Sequence, residues 1–184
     1  KDFSADALRY WAGRAKLGQD TIFDESVFKI GQRLVTKIFN ASKFVMLQLD
    51  APKGVEDDVT WEMNDIVHPI DVAWTRKVSG VVEEVTEKFA AFDYASSLSV
   101  VENLFWEFCD YYVELVKWRT YKQRETAGGK SALASLEYSL SNILRLFAPY
   151  MPYITEEVWS WYYAEKENAP SIHKSLCPTA LSSG

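Results

Sequence analysis

A row of basic residues that ends in an amide and an aromatic side chain is the part of this sequence best suited to chemistry. Its members are Lys29, Arg33, Lys37, Asn40 and Phe44, with Lys43 at the edge. Spacings of three and four residues place them on one face of a helix. Because cations neutralise phosphates, asparagine pairs with base edges and phenylalanine stacks on bases, the row suits a strand of RNA.

The same row has a plainer interpretation, which periodicity alone favours. Charges at helical spacing are typical of the solvated face of an amphipathic helix, and Phe44 would then lie in the core. The two interpretations differ in what they predict for Phe44. A stacking platform requires a ring that is at least partly exposed beside Lys37, Asn40 and Lys43.

No enzyme signature accompanies the row. The sequence contains no phosphate loop, GxGxxG motif, metal-ligand cluster or nucleophile elbow. His68 and His173 have no acidic or cysteine partner at helical or turn spacing, so we interpret both as structural. A second basic cluster at a helix end suits either solvent or a phosphate backbone. It consists of Arg119, Lys122 and Arg124.

Composition restricts the classes of partner. The 184 residues are 48% apolar and carry a net charge of −6, so any RNA site must be a local basic patch on an acidic body. Cys109 and Cys177 form no CxxC and indicate reduced thiols of a cytoplasmic protein. We expect no DNA partner and no membrane span, and no signal peptide is visible. Because the chain opens at Lys1 on a helix-start signal, we expect a fragment of a longer protein.

Helical periodicity predicts the elements that position the row. Apolar residues step by three and four along residues 24–49 and along segments that begin near Pro69, Asp93 and Ser131. A short helix capped by Ser4 precedes them. With no alternating strand pattern, the sequence predicts an all-α fold, an antiparallel bundle of four or five helices.

Several positions carry specific expectations within this bundle. The residues predicted to face the core include Ile30, Phe39, Ile70, Val81 and Leu115. An aromatic run is interpreted as mostly core: Trp106, Phe108, Tyr111, Tyr112, Trp118 and Tyr121. Glu107, Asp110, Glu114 and Lys117 fit ion pairs within one helix. Gly128 and Gly129 are interpreted as a hinge in a mobile loop.

Five segments together resemble the C-terminal half of the valyl-tRNA synthetases. They are ADALRYWAGRAKLGQDTIFDE, GQRLVTKIFNASKFV, AFDYASSLSVVENLFWEFCDYYVELVK, LFAPYMPYITEEVW and SIHKSLCP. ADALRYW is shared loosely with the isoleucine and leucine enzymes, whereas LGQDTIFDE with LVTKIFNASKFV is much more specific to the valine enzymes. The catalytic signatures HIGH and KMSKS are missing here, and Cys177 stands where the family commonly has tryptophan.

The resemblance implies an anticodon-binding helical bundle at residues 24–167. It implies the end of a stem-contact fold at 1–23 and a tail at 168–184. It also implies that Arg33, Lys37, Asn40, Lys43 and Phe44 contact the anticodon of tRNA(Val). The full-length enzyme would attach valine to this tRNA with ATP and Mg²⁺, whereas the present chain would be monomeric, bind no cofactor and catalyse nothing.

Two alternatives stay open at this point. One is the corresponding domain of an isoleucine or leucine tRNA ligase. The other is a helical domain that binds protein through exposed tryptophan and tyrosine side chains. RNA binding should weaken steeply with salt, whereas protein binding of the second kind should respond little.

Overall fold

A computed structural model describes residues 3–16, 18, 20, 24–50 and 59–181. In order, the helices are α1 (Ala5–Gly13), α2 (Glu25–Leu49), α3 (Pro69–Ala90), α4 (Tyr94–Glu107), α5 (Val113–Lys122), α6 (Ala127–Phe147), α7 (Pro152–Trp161) and α8 (Tyr163–Lys166). No strand occurs in these ranges, and the predicted all-α helix bundle is confirmed. The sequence also predicts a brief extended link at residues 20–23 and a helix terminator at residues 50–54, and residues 21–23 and 51–54 of these segments lie outside the described residues.

Side-chain caps determine where several helices begin. Ser4, Asp24 and Asp93 each accept a hydrogen bond from a backbone N–H two or three residues further on. Such caps satisfy donors that the first turn of a helix leaves unpaired. α3 begins instead at Pro69, whose missing N–H is not needed in the first turn.

α6 is the central helix of the bundle, and α2, α3, α4, α5 and α7 all pack against it. It can occupy this place because apolar or small residues cover nearly all of its surface. α1 lies on α2 and α7, where the Asp6 carboxylate accepts hydrogen bonds from the backbone N–H groups of Tyr153 and Ile154 at 3.2 and 2.7 Å. Gly31 of α2 allows α1 to lie close to α2, since a Cβ at this position would lie 2.9 Å from Cδ1 of Tyr10.

A π-helical turn at Phe108–Tyr112 joins α4 to α5 and changes which residues face inward. A π-helical turn contains more residues than an α-helical turn, so the residues after it face a different direction from the one that an unbroken α-helix would give them. Val116 and Thr120 are buried, whereas Leu115, predicted to face the core, is 60% exposed. The prediction for the aromatic run was correct for Phe108 and Tyr112. It was wrong for the exposed rings, which are Tyr111, Trp118 and Tyr121.

The predicted core faces of α2 and α3 also require correction. Ile30, Phe39 and Ile70 are each about 40% exposed, and Val81 is only partly buried. On α2 the buried face includes the small residues Gly31 and Ser42, which apolar periodicity does not count. Because Gly31 and Ser42 belong to the buried face, the centre of that face lies away from Ile30 and Phe39, which are left at its exposed edge.

Gly128 and Gly129 lie in the first turn of α6, so their assignment to a mobile loop was wrong. Thr126 caps the helix by accepting a hydrogen bond from the Gly129 backbone N–H at 3.0 Å. Gly129 is buried, and a Cβ on it would collide with the carbonyl group of Gln123. The close approach of the preceding turn, not flexibility, explains glycine at this position.

Candidate nucleic-acid interface

The predicted basic row (Lys29, Arg33, Lys37, Asn40, Lys43 and Phe44) follows the outer side of α2. Lys37 and Phe44 are half-buried, and the other four side chains are exposed. The opposite side of α2 buries Leu34, Ile38 and Val45 completely. Because this apolar side can face only the bundle, packing of α2 presents the basic row to solvent.

One half of the basic row lines an open cleft between α2 and the end of α4. The cleft has a volume of about 510 Å³. Its lining consists of Phe3, Lys29, Gln32, Arg33, Thr36, Lys37, Asn40 and Trp106. Cations, amides and aromatic rings in one open cleft are the side chains that phosphates and unstacked bases require.

Lys37 is held from two sides within this cleft. Its Nζ lies 3.3 Å from Oδ1 of Asp110, in the π-helical turn, and 5.4 Å from the centre of the Trp106 ring. Asp110 had been predicted to pair within its own helix, and that prediction was wrong. Within the described ranges, Arg33 and Lys43 form no ion pair. Lys37 therefore differs from these two cations of the row, because it alone of the three has a carboxylate partner in the part of the chain that the structure describes.

Phe44 forms the other half of the basic row and lies against α5. Its ring meets that of Tyr121 edge to face, with centroids 6.4 Å apart, and Nζ of Lys117 lies 5.6 Å from the centre of the Phe44 ring. The ring is half-buried at the edge of the core, so part of it is exposed. Its aromatic and cationic neighbours are Tyr121 and Lys117, not Lys37 as the sequence had suggested.

Asp71 anchors α5 beneath this surface. Its buried carboxylate accepts two hydrogen bonds from Arg119 at 2.7 Å, one from Tyr112 at 2.8 Å and one from Ser131 at 2.6 Å. Burial raises the pKa of Asp71, but the hydrogen bonds from Arg119, Ser131 and Tyr112 outweigh burial and hold the pKa below its ordinary value. The network ties α3, α5 and α6 together.

The second basic cluster is largely engaged in this framework. Arg119 pairs with Asp71 and also donates to the carbonyl of Gly128 at 2.7 Å. Arg124 donates to the backbone carbonyl of Gln48 at the end of α2. Only Lys122 of the cluster is exposed. Arg119 and Arg124 were predicted to face solvent or a phosphate. That prediction was wrong, because both donate hydrogen bonds to acceptors on other helices.

Four side chains of this surface were missed as site residues: Trp106, Asp110, Lys117 and Tyr121. They belong to the continuous α4–α5 helix, and their contacts with α2 depend on the register that the π-helical turn sets. The one sequence signal was the four-residue spacing of Lys117 and Tyr121, which places them side by side on a helix. Nothing local connects either residue with Phe44.

Cys109 lies in the same turn but offers no nucleophile. Burial raises its pKa to about 12, although the nearby charge of Lys37 acts in the opposite direction. Among the residues described, no three or more His, Cys, Asp and Glu side chains are grouped to hold a metal ion. None of the described helices is long and apolar enough to cross a membrane.

Comparison with protein families identifies the family to which this helix bundle belongs. Residues 71–183, more than half of the chain, match the family described as the anticodon-binding domain of tRNA ligase. The chain belongs to this family. The matched range of the anticodon-binding domain begins at Asp71, so the basic row on α2 precedes it.

Relatives of this anticodon-binding domain extend the similarity across α2. The valine–tRNA ligase of Bifidobacterium longum subsp. infantis is 39% identical over 96% of the chain. That of Cutibacterium acnes is 42% identical over 97%, and that of Ehrlichia ruminantium 38% over 96%. The resemblance seen in the sequence is thereby confirmed. The chain covers 20%, 19% and 22% of the lengths of these three relatives.

A solved structure shares the fold of the anticodon-binding domain. It is the ternary complex of Agrobacterium radiobacter K84 agnB2 LeuRS-tRNA-LeuAMS, with a TM-score of 0.65 and 18% sequence identity. The similarity covers 86% of this chain and 18% of that one. At this identity the match shows a common fold for the helices.

Proposed function

We propose that this anticodon-binding domain belongs to a valine–tRNA ligase and binds the anticodon loop of tRNA(Val) through the basic row. The carrying observation is the exposed cationic side of α2, beside a cleft, the half-buried ring of Phe44 and the exposed ring of Tyr121, on a chain of net charge −6. In the full-length enzyme, other parts of the protein would attach valine to the tRNA with ATP and Mg²⁺. That enzyme would act in the cytoplasm.

The surroundings of each side chain in the basic row indicate which part of the RNA it contacts. Arg33 and Lys43, exposed and without a carboxylate partner among the described residues, suit backbone phosphates. Phe44, with Tyr121 at its edge, suits a stacked base, and Asn40 suits a base edge. In this proposal residues 24–167 form the RNA-binding bundle, residues 1–23 end a stem-contact fold, and residues 168–184 form a tail.

The test is a titration of tRNA(Val) against the wild-type chain and two variants at two salt concentrations. Arg33→Ala should weaken binding. It should also reduce the steepness of log K plotted against log[salt] by about 0.7–0.9 for each phosphate that the arginine neutralises. Phe44→Ala should weaken binding by about 1–3 kcal/mol, the range for one base–aromatic stack. A thermal melt of each variant distinguishes weaker binding from impaired folding.

The matched control is Arg76→Ala, which removes an exposed arginine from α3, a helix that packs on α4 and α6. It should bind tRNA(Val) as the wild type does. Binding equal to that of the wild type by Arg33→Ala and by Phe44→Ala would remove α2 from the interface. Tighter binding of an isoleucine or leucine tRNA than of tRNA(Val) would assign the domain to one of those enzymes.

A second candidate function rests on the outer side of α5 and of the π-helical turn before it. Tyr111 in the turn and Leu115 and Trp118 in α5 are each at least 60% exposed, and such exposure of large apolar side chains is typical of protein-binding surfaces. A chain that binds protein through these residues would show little salt dependence. Trp118→Ala should leave tRNA binding unchanged if this surface serves another partner.

A further inference from the structure

A carboxylate lies inside an otherwise cationic site. Asp110 pairs with Lys37 at 3.3 Å, and both side chains remain accessible, 51% and 39% exposed. Because both groups are accessible and lie 3.3 Å apart, one ligand group is within reach of both. Lys37 lines the cleft together with Asn40 and Trp106, and Asp110 adjoins the cleft through its contact with Lys37.

The pair is a poor site for a phosphate. A phosphate oxygen within hydrogen-bonding distance of Lys37 would also approach the Asp110 carboxylate, and the two negative charges would repel each other. Arg33 and Lys43 have no such carboxylate among the described residues, so phosphates are bound more favourably there. The Lys37–Asp110 pair therefore selects a ligand group that is not an anion.

A nucleobase edge has the complementary chemistry. Lys37 offers hydrogen-bond donors, and Asp110 beside it offers only acceptors. Cytosine and adenine present a ring-nitrogen acceptor next to an exocyclic amine, and a carboxylate accepts well from such an amine. The Trp106 ring next to Lys37 supplies an aromatic surface of the kind on which unpaired bases stack.

The π-helical turn explains how Asp110 reaches this position. Phe108 and Tyr112 in the same turn are buried, while Asp110 extends from it to Lys37 on α2. Turns of this kind occur often at functional sites, since they redirect a side chain without breaking the helix.

We propose that Asp110 is a specificity-determining residue of the RNA site. With Lys37 beside it, its carboxylate accepts a hydrogen bond from the exocyclic amine of an unpaired base in the anticodon loop. This inference rests on the proposed function and assigns base recognition to a residue outside the basic row. It also assigns Lys37 to a base and not to a phosphate.

The first experiment titrates the anticodon stem–loop of tRNA(Val) against Asp110→Ala, Lys37→Ala and wild type at two salt concentrations. Asp110→Ala should weaken binding by at least about fivefold, the lower end for a specific base contact. Lys37→Ala should also weaken binding while leaving the salt dependence unchanged. The control Glu83→Ala removes the same charge from an exposed site on α3 and should bind as the wild type does.

The second experiment identifies the recognised group. Each loop cytidine, adenosine and guanosine is replaced in turn by an analogue that lacks the exocyclic amine. One replacement should weaken binding to the wild type by a similar factor and have no further effect on Asp110→Ala. Such coupling would connect one amine with one carboxylate.

Two outcomes would overturn the inference. If Asp110→Ala tightens binding and Lys37→Ala flattens the salt dependence, the carboxylate merely competes with phosphate for Lys37. If no analogue couples to Asp110, the residue reads no amine. Should Arg33→Ala and Phe44→Ala still weaken binding in either case, the proposed function stands without the inference; if no variant matters, both fail.

Discussion

At the scale of single residues, two ion pairs illustrate how burial decides what a charge does. The Arg119–Asp71 pair is almost completely enclosed, with the side chains 12% and 0% exposed, and every oxygen of Asp71 is hydrogen-bonded. The Lys37–Asp110 pair is open to solvent. An open pair contributes little to stability and leaves both groups accessible to a ligand, whereas an enclosed pair cannot lose one member without a large cost.

Asp71→Asn should therefore destabilise the chain strongly. The substitution leaves the Arg119 guanidinium enclosed without a counter-charge, for which the expected loss is about 3–5 kcal/mol of unfolding free energy. Urea denaturation of wild type and variant at neutral pH measures the difference. Asp110→Asn is the control and should cost less than about 1 kcal/mol, because that pair is exposed.

The contribution of Asp71 should depend on pH in a defined direction. Its pKa is lowered in the folded chain, so the folded state binds its proton less readily than the unfolded state does. The stabilisation is then complete above the unfolded pKa of about 4 and is lost as the pH falls toward the folded pKa. The stability gap between wild type and Asp71→Asn should be constant from about pH 7 to 5 and shrink below about 4. A gap that grows with acid would contradict this assignment.

At the scale of elements, helix beginnings and helix register follow different rules. Thr126 begins α6 through a local cap, and it outweighs the flexibility of the two glycines that follow. The register of α5, in contrast, follows from the π-helical turn, which aligns Val116 and Thr120 with the core and leaves Leu115 outside. Thr120 then donates to Gln48 at 2.9 Å and links α5 to α2.

The two glycines of α6 provide a matched pair of substitutions. Gly128→Ala should stabilise the chain by about 0.4–1 kcal/mol, because a Cβ there meets only ordinary contacts and the unfolded chain loses freedom. Gly129→Ala should destabilise it by about 1–3 kcal/mol, because its Cβ collides with the Gln123 backbone. Thermal melts compare the two. If both substitutions changed the melting temperature equally, the tight first turn of α6 would be refuted.

At the scale of the whole molecule, an acidic chain carries a local cationic face. The net charge of −6 disfavours indiscriminate binding to nucleic acid, while the basic row supplies attraction in one place. The position of that face depends on tertiary packing, since α2 packs on α1, α6 and α7. The chain spans about a fifth of its valine–tRNA ligase relatives.

We expect the purified chain to catalyse no valine-dependent ATP–pyrophosphate exchange. The sequence has neither HIGH nor KMSKS and no other nucleotide-binding signature. The assay measures exchange with valine, ATP and labelled pyrophosphate, and a full-length valine–tRNA ligase serves as the positive control. Exchange above the level without valine would show that a catalytic site lies within these 184 residues.

The sequence alone determined the all-α class, the cap at Ser4 and the outer side of α2. These features depend on interactions between residues three or four positions apart, such as the cap at Ser4 and the spacing from Arg33 to Lys37. The resemblance carried by the five segments added the family, which comparison confirmed.

Only the tertiary structure decided which side chains meet. Asp110 and Lys37 are 73 residues apart, and Arg119 and Asp71 are 48 residues apart. Such pairs depend on how neighbouring helices are rotated and offset, and one π-helical turn changes that alignment for all of α5. Local periodicity describes one helix at a time and says nothing about contacts between two helices. The partners of Lys37, Phe44 and Arg119 therefore follow from packing of the whole bundle.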